Sequence, residues 1–233
     1  MLLKKSLLTI SGIVLISVSA LWAGDSANFV DMGFSGDGRI YMFGQYGVLL
    51  PSLRPWAELF IVDVTRNEFV SGGRVSYTHD RPIQAGQDGS GALFRLLAEN
   101  ANLVSNHGIS LPNQGQPLFI SLEPNPPLTG ETIEFRDFIS GKFYRARLVP
   151  TIEGSGQNVT SSFFIDVEVH FPNGRVERQT LGNPHIRRPL IFAYNFRQVL
   201  VNNQRNAVVF VIEMKRRTPT GHDVRYMVET LRL

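Results

Sequence analysis

No cysteine occurs anywhere in the 233 residues. Disulfides, thiolate nucleophiles and thiolate metal sites are therefore closed to this chain. Histidine is scarce too. The five copies, His79, His107, His170, His185 and His222, contain no His-Glu-x-x-His and no pair at ligand spacing, and none follows an aspartate by three places. There is no run of alternating acids of the calcium-loop kind and no Gly-x-Ser-x-Gly elbow. No metal, cofactor or catalytic residue is expected.

Long apolar runs are also few. The one in residues 6–21 is broken by Ser11, Ser17 and Ser19 and is shorter than the ~20 residues a spanning helix needs. With Lys4 and Lys5 in front and Ala20 and Ala23 behind, it has the layout of a secretory signal peptide. The expectation is residues 1–23 as an export signal and 24–233 as one soluble, periplasmic or extracellular domain without a membrane span. A chain of that length buries a sufficient core without disulfides.

The formal net charge of +3 hides an uneven distribution. Residues 24–170 hold ten Arg or Lys against sixteen Asp or Glu, and residues 171–233 hold eleven against four. The expected consequence is that the two parts pack together and offset each other, with a basic face for an anionic polymer or lipid head group as the rival reading. Nucleic acid is not expected, because no recognition motif is present.

What the chain does have is β pattern. Asp37-Gly38 reads as a turn between strands at 28–34 and from Ile40, and Trp56 to Val64 is a near-continuous apolar strand after a loop at 47–55. Gly72-Gly73 marks a bulge or break. Leu93, Leu96, Leu97, Ala101 and Val104 fall on one face of a single amphipathic helix over 90–106, with Asp88 or Ser90 as N-cap and Gly108 as C-cap. Further strands are expected at 117–122, 132–138, 143–149, 162–170, 176–180, 191–201, 207–215 and 224–231, with a proline-rich hinge at 123–127. The fold class is mainly β: antiparallel sheets, as a β-sandwich or a partial propeller-like meander, with one helix. Residues 199–210 echo the order of 33–43, although two copies do not make a repeat architecture.

Gly33-Phe34-Ser35-x-Asp37-Gly38-Arg39, Phe43-Gly44-Gln45-Tyr46-Gly47, the strand Ala57 to Val64, Asn67-Glu68-Phe69-Val70 and Arg225-Tyr226-Met227-Val228 together resemble a family of predicted secreted bacterial proteins of unknown function. The resemblance implies export and brings no activity with it. The start of that block is also similar to one blade of the β-propeller of the periplasmic protein TolB, which implies a blade-like sheet; the chain is too short for a ring of ~40-residue blades.

Gly24-Asp25-Ser26 is similar to the nucleophile block of Gly-Asp-Ser esterases, but the Asp-x-x-His that such chemistry requires is missing. Gly86 to Gly91 precedes a helix where a phosphate could sit, yet it lacks the lysine of a nucleotide loop and reads as a connection. The candidate ligand-binding residues are Tyr46 and Trp56, aromatics beside loops, and Glu58, an acid in an apolar strand. The expected function is a non-catalytic binding or envelope-associated module whose partner is an envelope polymer or a periplasmic protein. Two alternatives stand beside it: a hydrolase of envelope polymers using carboxylates around Glu58, and a structural partner offering a sheet edge or its basic C-terminal face.

Overall fold

In the computed structural model the described residues are 24–84, 86–122, 132–219 and 221–233. The expected export signal at 1–23 and the hinge at 123–127 lie outside them. In chain order the elements are β1 (Asn28–Phe34), β2 (Ile40–Leu49), β3 (Arg54–Asp63), β4 (Glu68–Thr78), α1 (Ser90–Glu99), α2 (Ala101–Asn106), β5 (Gln116–Ile120) and β6 (Thr132–Arg136). Then come β7 (Phe143–Glu153), β8 (Thr160–His170), β9 (Val176–Leu181), β10 (Arg188–Pro189), β11 (Ile191–Val201), β12 (Ala207–Thr218) and β13 (Gly221–Arg232).

Among the described residues they form three antiparallel sheets and no closed barrel: a meander β1-β2-β3-β4, a central sheet β13-β12-β11-β5, and an outer sheet β10-β8-β7-β6 with β9 also on β8. The layering follows from side-chain parity. Strand β12 opens with six apolar residues, Ala207 to Ile212, and all six are buried. Successive side chains of a strand point to opposite faces, so Val208, Phe210 and Ile212 meet Phe135, Tyr144 and Ile165 of the outer sheet. Ala207, Val209 and Val211 meet Phe34, Phe43 and Phe60 of the meander. The meander is two-faced as well, for Met42, Leu59 and Ile61 pack against Ala92, Leu93 and Leu96 of α1. The order of layers is outer sheet, central sheet, meander, helices.

Several boundaries differ from the sequence reading. The helix is two helices, because Asn100 turns its side-chain amide back onto the Leu96 carbonyl at 2.8 Å and leaves helical geometry at φ −111°, ψ 20°. Gly89 rather than Asp88 or Ser90 is the N-cap. Gly108 takes the left-handed φ of +62° expected past the C-terminus. The loop at 47–55 shrinks to residues 50–53, since pairing of β2 with β3 runs out to Leu49 and Arg54. The diglycine is a bulge, with Gly72 at φ +68° opposite a register shift between Phe60 and Val62. Strand β10, two residues long, had no pattern to announce it.

The echoing turns at 35–38 and 202–206 touch each other. Gln204 donates to the Gly36 carbonyl at 2.7 Å, and a Cβ on Gly38 would stand 2.2 Å from the Asn202 amide nitrogen. The acidic and basic parts of the chain are joined by ion pairs Asp25–Arg225, Asp137–Arg205, Glu153–Arg187 and Glu168–Arg178.

Candidate functional site

Strand parity also decides where the sequence-derived candidates lie. Tyr46 pairs with Ala57, and Gly47 with Trp56, so the two aromatic side chains leave the meander on opposite faces. Tyr46 is half-buried against the helical layer. Trp56 faces the central sheet and is 5% exposed. Its indole N–H donates to Asp25 at 2.6 Å, and the Arg225 guanidinium lies 4.1 Å from its ring centre. Arg225 also donates to the same Asp25 oxygen at 2.8 Å. Burial pushes the Asp25 carboxyl above its usual range, and Arg225 and the indole N–H offset this only in part.

Glu58 is half-buried on the face it shares with Trp56. Its partner across the ladder, Gln45, donates to it at 2.7 Å and uses its amide oxygen to accept the backbone N–H of Tyr226 on β13 at 2.8 Å. The structure thus brings Trp56 and Glu58 to the seam between meander and central sheet, with Tyr46 on the other side.

A second buried acid was not singled out from the sequence. Glu229, 5% exposed on β13, accepts a hydrogen bond from the Asn67 side chain in the β3–β4 turn. Burial raises its carboxyl above the usual range, with Asn67 and Arg188 pulling the other way. Asn67, at φ +55°, also accepts the Thr230 backbone N–H at 2.7 Å, which covers the free edge of the central sheet. Asn67 and Thr230 line a polar cleft of about 540 Å3 between that turn and β9.

An apolar cleft lies elsewhere, beside α1. About 500 Å3 in volume, it is walled by Tyr77, His79, Arg81, Pro82, Ile83 and Arg95, with Pro55, residues 87–89, Gly91 and Ala92 completing it. Three segments build it. Strand β4 delivers Tyr77, the connection after it is held by His79 N–H to the Pro55 carbonyl at 2.9 Å and Ile83 N–H to the Leu53 carbonyl at 2.8 Å, and α1 supplies Arg95 from the side away from its apolar stripe. The helix start is seated on the sheet at Gly89, where a Cβ would stand 2.4 Å from the Gly47 carbonyl oxygen.

Within the cleft, Arg95 lies 4.5 Å from the Tyr77 ring centre and donates to the Tyr77 hydroxyl at 2.7 Å. The Tyr77 ring in turn meets the His79 ring edge-on. His79 Nδ1 lies 3.0 Å from the Arg81 backbone nitrogen and 3.2 Å from the Asp80 carboxylate. The acids nearby are engaged: Glu99 with Arg95 at 2.7 Å, and Asp88 with the Ser90 hydroxyl and N–H at 2.6 and 3.0 Å. Those Ser90 bonds hold the Asp88 carboxyl below its usual range. The Arg81 side chain makes no ion pair with the described residues. In the sequence, residues 86–91 read as a connection, and nothing joins them or His79 to Tyr77, Arg81 or Arg95. Among the described residues no group of three or more His, Cys, Asp or Glu converges as a metal site, and no helix is long and apolar enough to cross a membrane.

A family model described as predicted secreted protein (DUF2259) matches residues 42–232. No curated protein and no solved structure matches.

Proposed function

The chain belongs to the DUF2259 family of predicted secreted proteins, a family of unknown function, and from that premise we propose that it is a non-catalytic binding module of the cell envelope. Its ligand is a glycan segment of an envelope polymer, taken in the cleft beside α1.

The observation that carries this reading is the mixed chemistry of the cleft wall. Pro55, Pro82, Ile83 and the Arg95–Tyr77 stack offer apolar and planar surface, while Arg81 and Gln87 offer hydrogen-bond donors. A sugar ring presents C–H faces flanked by hydroxyls, and a concave site of about 300–1,000 Å3 with a few fixed polar groups suits such a ligand. Glu99 and Asp88 are engaged by Arg95 and Ser90, and Asp80 stands 3.2 Å from His79 Nδ1. Glu58, on which a hydrolase would rest, is held by Gln45 beneath β13 and lends that alternative no support. Tyr46 and Trp56 enter this reading as supports: Tyr46 packs in the layer beneath α1, and Trp56 follows the cleft residue Pro55 in sequence. Co-sedimentation with purified cell-wall glycan tests the proposal. The parent chain is expected in the pellet and the Tyr77→Ala variant in the supernatant; a parent chain left in solution would refute it.

A further inference from the structure

At one end of the outer sheet, two large apolar side chains stand in water side by side. Phe138 is 88% exposed and Ile139 is 74% exposed, both in the turn from β6 to β7. Folding gains nothing from them there, since apolar surface left in water forgoes the burial term. Yet the turn that carries them is firmly built. Asp137, 1% exposed, accepts the Ile139 N–H at 3.0 Å, the Ser140 hydroxyl at 2.6 Å and an Arg205 N–H at 2.8 Å. Its own backbone closes the turn, with Gly141 N–H to the Asp137 carbonyl at 2.8 Å and Asp137 N–H to the Lys142 carbonyl at 2.9 Å. Gly141 adopts φ +73°, which favours glycine. Phe138 and Ile139 are therefore displayed on a rigid tip, and ordering them on contact with a partner costs little.

The surroundings of the tip are positive. The β8–β9 turn adjoins it: a Cβ on Gly141 would lie 3.1 Å from Pro172, and Lys142 and Arg175 both lie over the Phe171 ring, at 5.6 and 4.0 Å. Arg136 is exposed on the near end of β6. Burial above all, and then Arg175 and Arg205, push the Lys142 ammonium below its usual range, with Asp137 opposing. The acids of the neighbouring strand ends, Glu134, Glu168 and Glu177, are paired with Arg145, Arg178 and Arg175.

We propose that this tip docks the protein onto an anionic lipid surface, Phe138 and Ile139 entering the head-group and acyl boundary while Arg136 and Lys142 meet the phosphates. A pair of exposed apolar side chains on a turn that also carries Arg136 and Lys142, the latter donating to the Arg205 carbonyl at 2.8 Å, is the minimal form of interfacial anchoring, where shallow apolar insertion and attraction to acidic lipids add. A protein partner would bury an interface of ~800 Å2 per side with an apolar centre wider than two residues. The lipid surface is the occupant that the charge pattern selects. The tip belongs to a different sheet from the cleft beside α1, so either reading can fail alone.

The experiment is sedimentation of the chain from Gly24 onward with phosphatidylglycerol vesicles and, separately, with phosphatidylcholine vesicles. The bound fraction is expected to be high on the first and about tenfold lower on the second, to fall about tenfold in the Phe138→Ser/Ile139→Ser variant at unchanged melting temperature, and to fall in about 0.5 M salt. In the Phe138→Trp variant, tryptophan emission is expected to shift to the blue on phosphatidylglycerol. No binding, equal binding to the two lipids, or binding indifferent to the double substitution overturns the proposal. So does dimerisation in solution that the double substitution abolishes, because it would assign the tip to a second copy of the chain.

Discussion

The Trp56 indole N–H donates to the Asp25 carboxylate at 2.6 Å in the seam between the meander and central sheets. Asp25 is 5% exposed, and Arg225 closes the group by pairing with Asp25 at 2.8 Å and lying over the indole. The contact fastens residues 25–27 to β13, where Ala27 N–H meets the Val224 carbonyl at 3.1 Å.

Removing one member of such a group strands the others. Arg225→Met leaves Asp25 without its counter-ion, and breaking a buried pair from one side costs about 3–5 kcal/mol. Trp56→Phe keeps the ring and deletes one donor, which costs about 1–3 kcal/mol. Thermal melts should rank the chains parent, Trp56→Phe, Arg225→Met, from most to least stable. Equal melting temperatures for all three would show that the group is not structural.

Glu229 predicts a pH dependence of the opposite sense to the usual acid denaturation. Its carboxyl is raised by burial in the folded protein, whereas the unfolded chain ionises in the ordinary range. Its contribution to stability is therefore present at low pH and is lost as pH rises through the raised folded value. Glu229→Gln keeps an oxygen to accept from Asn67 and removes that loss. The variant is expected to melt higher than the parent at pH about 7 and level with it at pH about 4. A variant that melts lower at neutral pH would contradict this.

The layering predicts that both faces of β12 are intolerant. In a two-layer sandwich one face of such a strand would reach solvent. Here Val209→Ser and Phe210→Ser each place a hydroxyl in a core, and each should lower the melting temperature, Phe210→Ser further because a lost aromatic side chain costs about 3–5 kcal/mol. Tolerance at Val209 would mean that the meander does not cover that face.

Much of this arrangement was legible in the chain itself. A strand was expected from Ile40, with apolar residues on both faces, and another at 207–215, where β2 and β12 lie. Asp37 was readable as a turn residue and accepts the Arg39 N–H; Asp63, at the end of β3, accepts the N–H groups of Thr65 and Arg66. The cleft was not readable, because Tyr77, Arg81 and Arg95 belong to a strand, a connection and the polar side of a helix, and no local pattern says that they converge. The same holds for Asp25 and Arg225, which are 200 positions apart. Tyr46 and Trp56 look adjacent as aromatics beside one loop, but register places them on opposite faces.

The most direct measurement of the proposed function is an equilibrium titration of purified cell-wall glycan fragments against the parent chain and an Arg81→Ala/Arg95→Ala variant. Arg81 is exposed and Arg95 is a surface residue, so both chains should melt together within about 0.5 kcal/mol of each other. Saturable binding by the parent is expected, with a loss of about tenfold or more in the variant, the cost of about 1.4 kcal/mol of contacts. Saturable binding of equal strength in the two chains would contradict it.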